Sequence, residues 1–163
     1  MIRNPWGFEL PDDALGAVVH GPVVLGRAPG VAVGVRCVFA HPGGLHLPVL
    51  LVARGVRGEA AQRQHGIPYE PRGYRPSASL RSSWLQVSAR VNGATGSLQA
   101  VGEESSSGED RYHQESQFWI GELPADGELH VTVAWPEIGL PESTTTLRFE
   151  RLAAAAAGAI PLT

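Results

Sequence analysis

Apolar side chains recur at every second position through much of this chain, the spacing that places them on one side of an extended strand. Val31, Val33, Val35, Cys37 and Phe39 alternate with Ala32, Gly34, Arg36 and Val38, and residues 45 to 54 are apolar at almost every position. Pro42-Gly43-Gly44 lies between the two runs, so residues 31 to 54 predict a hairpin. A strand that is apolar on both sides is either central in the fold or covered by a loop. Within it Pro48 has no N–H to give to a ladder, which predicts an edge or a bulge.

The same alternation returns further on. Leu85, Val87, Ala89 and Val91 precede Asn92-Gly93, a strong two-residue turn signal, and a short strand is expected over residues 98 to 102. Residues 117 to 123, the turn Pro124-Ala125-Asp126-Gly127, and the alternating Leu129, Val131, Val133 and Trp135 predict a second hairpin, with Gly127 supplying a positive φ. An early strand over residues 18 to 25 and a last one over residues 144 to 152 bring the total to about eight strands. Helical spacing is confined to residues 152 to 159, too short to stand alone. The pattern therefore predicts an all-β fold: a two-sheet antiparallel β-sandwich, immunoglobulin-like or jelly-roll-like, with at most a short C-terminal helical turn. Residues 55 to 79 interrupt it with a connection of about 25 residues, a length that in a compact domain is often functional. Residues 102 to 110 read as a second loop, rich in Glu and Ser. There is no internal repeat, and residues 1 to 163 read as a single domain.

Composition agrees with this and excludes some chemistry. With 163 residues, of which 43% are hydrophobic and 18% charged, the chain resembles an ordinary globular protein. A chain of this size buries roughly 70% of its unfolded surface. The 20 Gly and 13 Pro favour short strands and turns over helices. All 13 basic residues are Arg, so a Schiff-base lysine, a P-loop lysine and a Ser-Lys dyad are excluded. A net charge of -3 gives no bulk attraction to nucleic acid or anionic lipid. Cys37, the sole cysteine, fits a reducing compartment. Residues 1 to 13 mix Arg3, Asn4, Pro5, Glu9 and Pro11 into what a signal peptide would keep apolar, and no stretch approaches 18 apolar residues. A cytoplasmic protein without a membrane span is the expectation.

From about residue 24 onward the order of features resembles an uncharacterised family of small β-rich actinobacterial proteins. The resembling pieces are Gly26-Arg27 leading to Val35, Phe118-Trp119-Ile120 followed by Leu123-Pro124 and Gly127, and Trp135-Pro136 with Gly139-Leu140-Pro141-Glu142-Ser143. The resemblance implies a β-rich fold and a cytoplasmic origin; it implies no activity and carries over no site residues.

Candidate chemistry is sparse. Residues 54 to 81 hold six arginines (Arg54, Arg57, Arg63, Arg72, Arg75, Arg81) against Glu59 and Glu70, a local charge of +4, with Tyr69, Tyr74 and His65 interleaved. Basic and stacking side chains together suit a phosphate-bearing or single-stranded nucleic partner, whose binding would weaken as salt rises. Residues 102 to 128 invert the charge, with Glu103, Glu104, Glu109, Asp110, Glu115, Glu122, Asp126 and Glu128 opposed by Arg111. The simpler expectation is that the basic stretch lies against this acidic one, or that each is a solvated face. Trp84 and Trp119 have the opposite parity to their apolar neighbours, which points both outward unless a bulge or covering loop hides them. His41 and His46 flank the first turn. If its loop is Gly43-Gly44 they lie opposite each other; if it is Pro42-Gly43, Phe39 faces His46 instead. No third metal ligand accompanies them, and no metal or other cofactor is expected. The His41-Pro42-Gly43-Gly44 run echoes an esterase oxyanion loop without the strand-elbow-helix context, and Ser105 to Ser107 with Asp110 and His113 hold triad side chains in a charged loop.

These observations lead to a non-catalytic interaction module that presents Arg57, Arg63, Tyr69, Arg72, Tyr74 and Arg75 to a protein partner or to a second copy of the chain. The alternative is a small-ligand or carbohydrate-binding module that stacks its ligand on Trp84 and Trp119. Behind both stands a hydrolase of unrecognised type.

Overall fold

The computed structural model describes residues 5–7, 9–65 and 85–163. The chain is mostly β, with several antiparallel sheets. In order the strands are β1 (Ala14–Leu15), β2 (Ala17–His20), β3 (Val23–Ala28), β4 (Val31–Val35), β5 (Val38–His41) and β6 (Gly44–Arg54). Helix α1 (Val56–His65) comes next, then β7 (Gln86–Val91), β8 (Ala94–Leu98), β9 (Gly102–Ser107), β10 (Arg111–Ile120), β11 (Glu128–Trp135) and β12 (Leu140–Arg148). Helix α2 (Leu152–Ala157) and β13 (Ile160–Pro161) close the chain. One sheet runs β2-β5-β6-β10-β9, with β4 also on β6 and β3 on β4; a four-stranded sheet runs β12-β11-β7-β8; β1 and β13 form a two-stranded ribbon.

Strand β6 is apolar on both sides because it is central. Along one flank it pairs β10 in continuous register from Leu45↔Ile120 to Arg54↔Arg111. Along the other it pairs β5 (Phe39↔His46) and then β4 (Val35↔Val49). The expected edge or bulge at Pro48 is therefore replaced by a different solution. The proline falls between those two registers, opposite the Arg36-Cys37 bend, where no ladder bond on that flank is lost. The bend also divides the expected first strand in two, and Gly21-Pro22 divides the early strand at the matching place, into β2 on β5 and β3 on β4.

Four other expectations change. The short strand expected over residues 98 to 102 is instead the connection between β8, which ends at Leu98, and β9, which begins at Gly102. Residues 117 to 123 and 129 to 135 do not form a hairpin, since β10 belongs to the large sheet while β11 pairs β7 and β12 in the small one. Residues 102 to 107, read as a loop, form β9, because β10 begins at Arg111 and its free flank accepts Glu- and Ser-bearing backbone. The connection read as residues 55 to 79 begins with the ten-residue helix α1. Asn92-Gly93, by contrast, makes the two-residue turn its sequence predicts, with Val91 opposite Ala94 and positive φ at both residues (49° and 80°). The C-terminal helical stretch also forms, as α2, and buries Leu152 and Ala156.

A single hydrophobic cluster draws on both larger sheets: Val31, Val33, Val49 and Leu51 from one, Val87, Leu129, Val131 and Trp135 from the other. Thr145 Oγ1 on β12 donates to the Leu25 carbonyl of β3 at 3.3 Å, tying the sheets at one margin. No helix among the described residues is long and apolar enough to cross a membrane.

Candidate functional site

Of the residues singled out from the basic stretch, Arg57 and Arg63 lie on α1, whereas Tyr69, Arg72, Tyr74 and Arg75 lie outside the described residues, as does Trp84. Helix α1 sits at the end of the large sheet, against the β9–β10 turn. Gln62 Nε2 donates to the carbonyls of Gly108 (2.7 Å) and Arg111 (3.0 Å). Gly58 lies so close to that turn that an added Cβ would overlap the Asp110 carbonyl oxygen and stand 3.0 Å from the Ala53 carbonyl. Ala61, on the inner side of the helix, is fully buried. Arg57 is half-buried: its stem passes Gly30 and its guanidinium lies on Gly139, where φ is +84° and a side chain would meet Nη2 at 2.8 Å. Arg63 is exposed. The described part of the basic stretch thus rests against the acidic hairpin, and the two arginines separate into one that packs and one that faces water.

The acidic residues do not form one face. Glu115 pairs Arg36 at 3.4 Å, Glu128 pairs Arg148 at 3.3 Å, and Glu122 accepts from Asn92 Nδ2 at 2.5 Å. Around the hairpin Glu103, Glu104, Glu109 and Asp110 are exposed. The β9–β10 register sets Ser106 opposite His113 on the outward side, with Asp110 in the turn, but no hydrogen bond joins this serine to this histidine.

Trp119 is 7% exposed although its parity puts it on the outer side of the large sheet. Glycines explain this: an added Cβ at Gly44 would stand 2.8 Å from Trp119 Cζ2, so the indole lies directly on that backbone. His41 meets the indole edge-on with ring centres 5.7 Å apart, and His46 stacks on Phe39 at 5.3 Å. The loop is Pro42-Gly43, since His41 pairs Gly44 and Phe39 faces His46; the two histidines are diagonal neighbours on one face. His46 Nε2 meets the acceptor Gln117 Oε1 at 2.5 Å, which places the ring proton on Nε2. His41 is 4% exposed, and its Nδ1 is buried with no hydrogen-bond partner. Among the described residues no group of three or more His, Cys, Asp or Glu could hold a metal ion.

The inner side of β10 carries an arrangement that the sequence reading missed. Tyr112 Oη donates to Gln114 Oε1 at 2.7 Å, and Gln114 Nε2 donates to Ser116 Oγ at 3.1 Å, all three residues buried. Burial, and secondarily the charge of Glu103, push the Tyr112 phenol well above its ordinary range, so it remains a neutral donor. Tyr112 also meets Trp135 edge-on at 6.2 Å. The signal was present, because these three share the parity of Phe118 and Ile120, but reading the strand only from Gln117 hid it. Tyr112→Phe is expected to cost about 1–3 kcal/mol by removing the donor to a buried amide oxygen. Urea unfolding checks this, and an unchanged midpoint would show that the bond contributes nothing.

No protein-family model matches the chain, and no curated protein matches it.

Proposed function

We propose that the protein is a non-catalytic, cytoplasmic interaction module, a two-layer antiparallel β-sandwich that presents the basic chain leaving α1 to an acidic protein partner or to a second copy of itself. The observation that carries the reading is the anchoring of α1, whose Gln62 amide spans two carbonyls of the β9–β10 turn. A recognition segment works best when its base is held by a rigid scaffold, and here that base holds Arg57 while leaving Arg63 exposed. Two-layer packing is supported by the approach of the sheets at Gly26, where a Cβ would stand 3.0 Å from Val133 Cγ2. A reducing compartment is supported by the free thiol of Cys37.

The test is charge reversal in the full chain, Arg63→Glu with Arg72→Glu and Arg75→Glu, used as bait in parallel with the wild type and sedimented alone. Capture of the partner, or self-association, is expected to fall by about tenfold, the lower end of what steering charges contribute to association. Equal capture and equal sedimentation would overturn the reading. Oligonucleotide binding that weakens with salt would replace the protein partner with a nucleic acid.

A further inference from the structure

The outer-face cluster brings two histidines together with the rings of Phe39 and Trp119 and with the start of β2, the strand beside β5. An added Cβ on Gly16, between β1 and β2, would stand 2.7 Å from His41 Nε2 and 2.8 Å from Phe39 Cβ. The register Ala17↔Ala40 makes Gly16 the neighbour of His41 along the β2–β5 edge, so the imidazole lies directly on its backbone. We propose that this edge is an acid-sensitive latch: protonation of His41, reinforced by that of His46, frees the start of β2, with the β1–β13 ribbon joined to it, from its place beside β5.

A neutral imidazole needs one donor and one acceptor partner, whereas the imidazolium carries two N–H groups. On His41 the second would be Nδ1–H, buried and without an acceptor, and Gly16 covers the other nitrogen. A buried charge without a hydrogen-bond partner is costly, and parting β2 from β5 at Gly16 uncovers the Nε2–Cδ2 edge of the ring and gives the imidazolium room to turn to water. His46, its diagonal neighbour, has already committed Nε2 to Gln117, and a second charge there repels the first. Burial holds both imidazoles below the ordinary 6.5; the charge of His46 adds to the effect on His41, and the Gln117 bond partly opposes it on His46. The opened state then binds more protons than the closed one between the depressed values and 6.5. Closure is complete above that window, weakens as pH falls through it and levels off beneath it. Among the described residues the other charged groups on this face do not supply a counter-ion: Glu115 is taken up by Arg36, His113 lies two positions away from it, and Glu9, Asp12 and Asp13 of the entering chain are exposed. On β5 and β6 the same face carries Phe39 and Pro48 beside the histidines. Opening stays local because β2 is a four-residue strand whose register shifts between Val18 and His20.

Hydrogen exchange of the full chain, read by mass spectrometry at about pH 7.5 and about pH 5 and corrected for intrinsic rates, tests the latch. Protection over residues 14 to 18 is expected to fall at least tenfold on acidification, each histidine contributing up to about tenfold per pH unit. Residues 129 to 133 should keep theirs. The double variant His41→Leu with His46→Leu should hold residues 14 to 18 closed at both pH values, and His20→Gln should leave the response intact. A flat wild-type response, or the same loss in the double variant, overturns the proposal. Should the double variant not fold, proton NMR of the wild type decides: imidazoles of His41 and His46 that titrate in step with the loss of protection support the latch, and imidazoles that titrate without it overturn it.

Discussion

Trp119→Ala is expected to cost about 3–5 kcal/mol, the range for truncating a buried large aromatic residue, and to lower the Tm by roughly 6–20 °C in a chain of this size. The ring is 7% exposed, lies on the Gly44 backbone and meets the edge of His41. Its removal leaves a void over the Gly44 backbone and an imidazole that has lost its packing surface. A tryptophan displayed for stacking on a ligand would behave oppositely, since truncating an exposed ring barely alters stability while abolishing binding. Thermal unfolding of the single variant separates the two roles, and a Tm within about 1 °C of the wild type would contradict the packing of Trp119 on Gly44.

Gly58→Ala reverses the sign that helix propensity assigns. In an open helix, replacing glycine by alanine adds about 1 kcal/mol. In α1 the new Cβ would overlap the Asp110 carbonyl and approach the Ala53 carbonyl at 3.0 Å, both of them backbone that cannot rotate away. Overpacking of this kind costs about 1–3 kcal/mol or more, so a net destabilisation is expected, together with loss of the Gln62 bonds that anchor the helix. Circular dichroism melting measures the sign, and hydrogen exchange over residues 56 to 65 locates the effect. A raised Tm would mean that α1 does not lie against the β9–β10 turn as described. The variant also bears on the proposed interaction, because a basic segment whose base has lifted should bind its partner more weakly even with every arginine in place.

The β character of the chain, the Asn92-Gly93 turn and the apolar alternation of β4, β7 and β11 were legible without coordinates. These depend on neighbours in sequence: side-chain direction repeats every two residues, and a type of turn follows from the residues that tolerate positive φ. What a strand pairs with was not legible to the same degree. Residues 117 to 120 and 129 to 135 look like a hairpin from their spacing, yet they part into different sheets, because register is settled by the burial of whole faces against distant strands. Pro48 likewise marked an edge by its own chemistry, and only the juncture of β4 and β5 on the far flank gave it a central place without a lost bond.

The candidate sites divide along the same line. Sequence alone determined which side chains exist: an Arg-rich stretch without lysine, an acidic stretch, two histidines around a turn and a tryptophan of contrary parity. Tertiary structure decided what each does. It laid the Arg57 guanidinium on Gly139 and left Arg63 in water, placed Trp119 on Gly44, set the His41 imidazole on Gly16 of the neighbouring strand, and joined Tyr112, Gln114 and Ser116 inside the core. The physical reason is that parity names a face but not what covers it. Whether an outward side chain meets water or folds onto a neighbouring strand depends on segments remote in sequence, and here it depends on glycines whose missing side chains leave room for the ring.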